Sequence, residues 1–234
     1  MMMFDPILMV ITFAFMGIGM FVSSRLKQKF ETYSQHQLAS KMSGKEVAEK
    51  MLRDHHIQDV KVISVEGQLT DHYNPLTKTV NLSSTVFEGK NIASAAVAAH
   101  ECGHAVQHAD SYQWLTLRST LVPIVNFSSK AMNLIIMAGF FLGFMFKMYN
   151  DMLLAIIVCQ TIITAFSLIT LPVEIDASNR ALAWLQNSYV ARGNENEEAA
   201  DALKWAGRTY LVAALASLAQ LTYFIMMLAG RRKD

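Results

Sequence analysis

The residues best equipped for chemistry are His100, Glu101 and His104. They fall within I-A-S-A-A-V-A-A-H-E-C-G-H-A-V-Q-H-A, the stretch Ile92–Ala109. Residues four apart on an α-helix share a face, with Cβ atoms about 5–6 Å apart. His100 and His104 can then grip one Zn²⁺ through two imidazole nitrogens. Glu101, beside them, can take a proton from a water polarised by that ion. The alanine-rich run ahead of His100 favours the helix, since alanine is the best helix former. It also reads as a packed helix, which counts against a solvated one carrying two idle histidines. A buried imidazole pair flanking a carboxylate is costly unless something satisfies it, and a metal does so. Gly103 has no side chain, so a substrate or a neighbouring element can come close there.

Catalytic zinc usually takes three protein ligands and keeps one position open for water. Two later glutamates are candidates for the third. Glu174 stands in V-E-I-D-A-S-N-R-A-L, and Glu197 stands in E-E-A-A-D with Asp201 four residues on. An aspartate at that spacing can orient a ligand histidine through a hydrogen bond. His108, one turn beyond His104, is a third candidate, better suited to a supporting or surface role.

These residues need elements to hold them, and composition says where those elements lie. Of the 234 residues, 53% are hydrophobic and only 17% are charged, too apolar for an ordinary soluble domain. The formal net charge of +1 gives no reason to expect nucleic acid as a partner. Cys102 lies in the metal motif and Cys159 in an apolar run, so no disulfide framework is expected. Residues 4–22 are almost wholly apolar, and about 20 such residues cross a bilayer. Arg25, Lys27 and Lys29 follow, with no basic region ahead and no clear cleavage site behind. That pattern predicts an uncleaved first span with its amino terminus outside.

Further spans are expected at 131–146, with Lys130 snorkelling at one end, at 152–171, and at 210–229. A polar connection, 147–151, joins the second and third spans. Leu171-Pro172 marks the end of the third, and Arg231, Arg232 and Lys233 close the fourth. In the polar segment between the first two spans, Ser43 and Glu46 make a capping box that starts a helix through about His55. Residues 59–65 and 79–83 read as strands, and D-H-Y-N-P over 71–75 reads as turn chemistry. The edge of the strand at 79–83 could pair with an extended peptide, main chain to main chain, or simply close a structural hairpin. The organisation predicted is a first span in 1–24 and a soluble α+β segment with the motif in 25–118. A transmembrane hairpin in 119–172, a helical third-ligand segment in 173–208 and a last span in 209–234 follow. Such a hairpin returns residues 173–208 to the membrane face that carries the motif. Basic residues near the span ends favour the cytoplasmic side for that face, although Arg231, Arg232 and Lys233 would then lie outside.

The blocks D-H-Y-N-P and V-N-L-S, A-A-H-E-C-G-H-A-V-Q-H, L-R-S-T-L-V-P-I-V-N and P-V-E-I-D-A-S-N-R-A-L resemble those of the YugP-type membrane zinc metallopeptidases. The resemblance covers essentially the whole chain, including the four-span layout. It implies a mainly α membrane protein with a small α+β, zincin-like (gluzincin) catalytic domain at the membrane surface. By the same resemblance His100 and His104 are zinc ligands, Glu101 is the catalytic base and Glu174 is the third ligand. More distantly the plan is similar to HtpX-type membrane proteases. One departure stands out. Four residues after Glu174 comes Ser178 rather than an aspartate, which leaves Asp176 and Asp201 as substitutes for orienting a ligand histidine.

The expected activity is zinc-dependent hydrolysis of peptide bonds in membrane-proximal or unfolded substrates. Tyr73, His72 and Arg180 are candidate donors to the oxyanion. Peptide or protein substrate and the lipid bilayer are the expected partners, with a homo-oligomer or a membrane-protein partner left open. The expected location is a bacterial plasma membrane, multi-pass, with the site on the cytoplasmic face. A site-2-type intramembrane protease is the enzyme rival, weakened by Lys90 and Asp110 closely bounding the motif helix and by the lack of an L-D-G signature. A zinc-binding scaffold without turnover is the other rival, and the intact Glu101 speaks against it. A transporter finds no support, because no charged residue marks a path through the middle of any span.

Overall fold

The computed structural model describes residues 5–67, 69–146 and 149–231. In chain order the elements are α1 (Pro6–Ser34), α2 (Gly44–Asp54), β1 (Lys61–Val65), β2 (His72–Asn74) and β3 (Thr79–Ser83). These are followed by α3 (Ser84–Glu88), α4 (Ile92–Ala109), α5 (Gln113–Phe146), α6 (Tyr149–Asn187) and α7 (Asn194–Arg231). The protein is thus mostly helical with one small sheet. Among the described residues four helices are long and apolar enough to cross a membrane, within Pro6–Ser34, Gln113–Gly139, Asn150–Asn187 and Asn194–Gly230.

Several expected boundaries move, each for a physical reason. The first helix does not stop at its basic flank but continues through Arg25, Lys27 and Lys29 to Ser34. Its last turns are anchored where Lys29 Nζ and Tyr33 Oη meet Asp201 Oδ2 at 2.8 and 2.7 Å. The second apolar helix begins well before residue 131, at Gln113, and runs through Pro123. Pro172 does not end the third. A proline inside a helix costs one hydrogen bond, roughly 3 kcal/mol. Here burial of Val173, Ala177, Ala181 and Leu185 along one face carries α6 past it to Asn187. The segment 173–208 is therefore not one element, since it breaks at residues 188–193 before α7 begins. The expected polar connection at 147–151 falls partly on residues 147 and 148, outside the described ones.

The chain divides into two compact units. The first gathers residues 1–21, 117–171 and 209–234. Met132, Leu153, Ile156, Cys159, Tyr223 and Phe224 form its core. Polar groups inside it are satisfied between helices: Gln160 Nε2 and Thr164 Oγ1 each donate to the Ser217 carbonyl at 3.1 Å. Phe13, Phe127, Leu134 and Met226 stay exposed, as lipid-facing side chains would.

The second unit, residues 22–116 and 172–208, holds the sheet and the motif helix. Ser43 caps α2 with both arms of the capping box, Ser43 Oγ to the Glu46 amide and the Glu46 carboxylate to the Ser43 amide. The apolar face of α2 (Val47, Ala48, Met51) packs with the buried alanines of α4, Ala93 to Ala105, in one core. In the sheet the order is β1-β3-β2, with β1 parallel and β2 antiparallel to β3. The strand at 79–83 is therefore central, and both of its edges are taken. The outer edges belong to β1 and to β2, the latter three residues that sequence chemistry reads as part of a turn. Asp71 makes this possible by accepting from the Ser83 amide at 2.7 Å and from the Ser83 hydroxyl. The true turn starts at Asn74, whose Oδ1 accepts from the Leu76 and Thr77 amides.

Helix α4 meets the later part of α6 at backbone range. A Cβ on Gly103 would stand 2.5 Å from the Ala177 carbonyl oxygen, closer than real contacts allow. Gly103 thus admits a neighbouring helix rather than a substrate. Gly103→Ala should lower the unfolding temperature, by about 1–3 kcal/mol of stability, and reduce bound zinc in the purified protein. Thermal unfolding and elemental analysis of one preparation check both.

Candidate metal centre

Both histidines and their neighbour come from α4, whose start is fixed by Asn91: its Oδ1 accepts from the Ser94 amide at 2.8 Å. One turn separates His100 from His104, and their rings lie edge to face with centroids 4.8 Å apart. From α6, Glu174 reaches the same point. Its Oε2 stands 3.3 Å from His100 Nε2 and 3.6 Å from His104 Nε2. Two nitrogens and one carboxylate oxygen, all within 4.8 Å of one another, form the one such cluster among the described residues. Zinc–ligand bonds of about 2.0–2.1 Å at tetrahedral angles put neighbouring donors roughly 3.3–3.4 Å apart. The two carboxylate–imidazole spacings, 3.3 and 3.6 Å, lie close to that value. Burial opposes a charge on the His104 imidazole, but the Glu174 and Glu101 carboxylates outweigh it and raise its pKa. The same negative field suits a dication.

Nδ1 of each imidazole is engaged away from the cluster. Ser178 Oγ lies 3.2 Å from His100 Nδ1, and Gln107 Oε1 lies 3.0 Å from His104 Nδ1. Metal-ligating histidines generally use their second nitrogen in this way. The serine that departs from the expected aspartate is thus itself the neighbour of His100. Its place one turn after Glu174 is the signal that could have revealed it. Asp201 has no part here, because it binds Lys29 and Tyr33. Asp176 does take part, indirectly, by accepting from Gln107 Nε2 at 2.8 Å. Gln107 was not singled out from the sequence at all. A glutamine inside A-V-Q-H carries no signal until its complete burial is seen.

Glu101 is buried beside the two histidines, and its Oε2 accepts from the Tyr73 amide of β2 at 2.9 Å. The outer edge of β2 therefore meets the carboxylate at Tyr73. Glu197 is exposed on the first turn of α7 and is not in the cluster. His108 is exposed as well, with Nδ1 2.7 Å from Tyr73 Oη. Among the candidate oxyanion donors, Arg180 is bound to Asp176 and Asp110, and His72 Nδ1 meets the Thr70 carbonyl at 2.7 Å. Cys102 faces the opposite way, its Sγ 3.6 Å from the Ala48 carbonyl, with its thiol pushed far up by burial.

Partial burial, with the nearby Asp59 charge, pushes the Tyr73 phenol up to about 12. The folded protein keeps this proton where an unfolded tyrosine, near pH ~10, has lost it. Stability from this group is complete below pH ~10 and drains away as pH climbs through the folded value. In a spectrophotometric titration of the folded protein, Tyr73→Phe should delete one late-titrating phenol and leave the earlier part of the curve unchanged.

Comparison with known proteins agrees with this geometry. The sequence model of the family described as "Putative neutral zinc metallopeptidase" matches residues 8–229. The chain is 38% identical over 224 residues to "Putative membrane protease YugP" of Bacillus subtilis (strain 168), covering 96% of this chain and 97% of that protein. No solved structure matches. Its family implies zinc, and His100, His104 and Glu174 are the residues that could hold it. With its four apolar helices and a membrane protease as its relative, the chain is a multi-pass membrane protein. It belongs to the neutral zinc metallopeptidase family.

Proposed function

We propose that this protein is a zinc-dependent endopeptidase of gluzincin type, with His100, His104 and Glu174 as ligands and Glu101 as general base. The observation that carries the proposal is the meeting of Glu174 Oε2 with both Nε2 atoms, with Glu101 buried on the same helix as the histidines and its charge acting on His104. Zinc, when bound, supplies Lewis acidity toward the scissile carbonyl and toward an attacking water. Glu101 takes the proton of that water and passes it to the leaving amine. Burial keeps Glu101 out of bulk solvent, and the Tyr73 amide fixes one of its oxygens in place. The outward side of β2 is the edge on which an extended peptide would lie, main chain to main chain. Tyr73, protonated at any working pH, is the oxyanion donor in this proposal and would turn to it from His108 Nδ1, 2.7 Å away, whereas Arg180 is held by two carboxylates.

Substrates in this proposal are unfolded or membrane-proximal segments of proteins, and the site faces the cytoplasm of a bacterial plasma membrane. Helix α4 is not one of the four helices apolar enough to span, which favours this reading over cleavage inside the bilayer.

Glu101→Gln should retain zinc and lose hydrolysis of a casein-like substrate by at least ~100-fold. A variant that cleaves as fast as the parent would overturn the role of Glu101. Glu174→Ala should lose zinc on elemental analysis of purified protein, whereas Glu197→Ala should keep a full equivalent.

A further inference from the structure

One fully buried polar side chain in the second unit is not used by the proposed chemistry. Gln107 has no exposed surface. Its Nε2 donates to the Val173 carbonyl and to Asp176 Oδ2, both at 2.8 Å, while its Oε1 lies 3.0 Å from His104 Nδ1. A backbone carbonyl and an ionised carboxylate can only accept, so the amide NH₂ must face them. The oxygen then faces His104, and an oxygen there can only accept, so Nδ1 must carry the imidazole proton. The lone pair is thereby left on Nε2, the nitrogen nearest Glu174. Ser178 cannot impose the same choice on His100, because a hydroxyl donates or accepts equally well.

We propose that Gln107 is a positioning residue for the metal: it fixes the tautomer of His104 and ties the two ligand-bearing helices together. Its second donor ends on the residue just before Glu174, so one side chain sets the ligand nitrogen of α4 and the height of the ligand oxygen on α6. Asp176 is held in turn by Arg180 Nε at 2.6 Å, and Arg180 returns to Asp110 at the carboxy-terminal end of α4. The guanidinium also lies over the Tyr112 ring, 5.8 Å from its centroid. The result is a closed ring, Gln107–Asp176–Arg180–Asp110, that begins and ends on α4. Only the Gln107 end of this ring is buried, and there the loss of a partner would leave a polar group unsatisfied.

This inference rests on the metal-centre reading, and its test is chosen to separate the two. Zinc affinity is measured on the full chain in detergent by competition with a chelator. Gln107→Met keeps the volume and removes every hydrogen bond. It should weaken zinc binding about 10–100-fold, the usual effect of losing such a partner. The double variant Gln107→Glu with Asp176→Asn conserves charge and restores an acceptor for His104 Nδ1–H, but turns a carboxylate oxygen toward the Val173 carbonyl, which can only accept. It should bind zinc more tightly than Gln107→Met and less tightly than the parent. Val86→Ala, in the same core but outside the centre, should lower the unfolding temperature without changing zinc affinity. If Gln107→Met binds zinc within about twofold of the parent, set against that ~10-fold floor, the proposal is overturned while the metal centre stands. It is overturned likewise if Val86→Ala weakens zinc equally. A parent chain that binds no zinc removes the centre and this proposal together.

Discussion

The site depends on one close approach, the Ala177 carbonyl lying against the bare Cα of Gly103. Two imidazoles one turn apart can offer only two donors, and a third must come from another part of the chain. A carboxylate can reach between them only if its helix sits at backbone range, and any side chain at 103 would hold it off. Glu174 precedes Ala177 by three residues, and Ser178 follows it by one, so the same contact delivers both a ligand and the neighbour of His100. Burial follows from the same packing. With Glu174 only 3% exposed, its charge sees the two imidazoles rather than water, which is the condition for a firm metal grip.

Much of this was written in the sequence, and the parts that were not share a cause. The motif helix, the capping box at Ser43 and the strand at 79–83 are local patterns, set by residues three or four apart or by alternation. They appear where the sequence places them. What the sequence obscured was decided by partners far along the chain. D-H-Y-N-P looks like a turn because its residues favour turns. Asp71 nevertheless pins the segment to Ser83, and β3 pulls His72–Asn74 into register as an edge strand. Pro172 looks like a helix end because proline lacks an amide, yet the buried face of α6 on both sides of it outweighs the lost bond.

The metal centre divides along the same line. His100, Glu101 and His104 follow from spacing alone, whereas position in the chain leaves Glu174 level with Glu197 and only likeness to a family favours it. Gln107 and Ser178 were invisible or misread, since a neutral polar side chain declares its role only through what surrounds it. Ser178 stands where an aspartate was looked for, and the hydroxyl meets the imidazole at the place a carboxylate would have filled. Asp201, which has the expected type and spacing relative to Glu197, instead joins the end of α1 to α7.

The shortness of β2 has a bearing on what such a protein can select. Three residues on a free edge give a visiting chain little more than one amide and one carbonyl to match, and Glu101 already takes that amide. Under the proposed function, recognition at such a margin would be of backbone availability, not of side-chain spelling. A polypeptide whose amides are spent in its own helices or sheets has nothing to offer it. Frayed or unfolded polypeptide does, which is the kind of substrate that the proposed function would require.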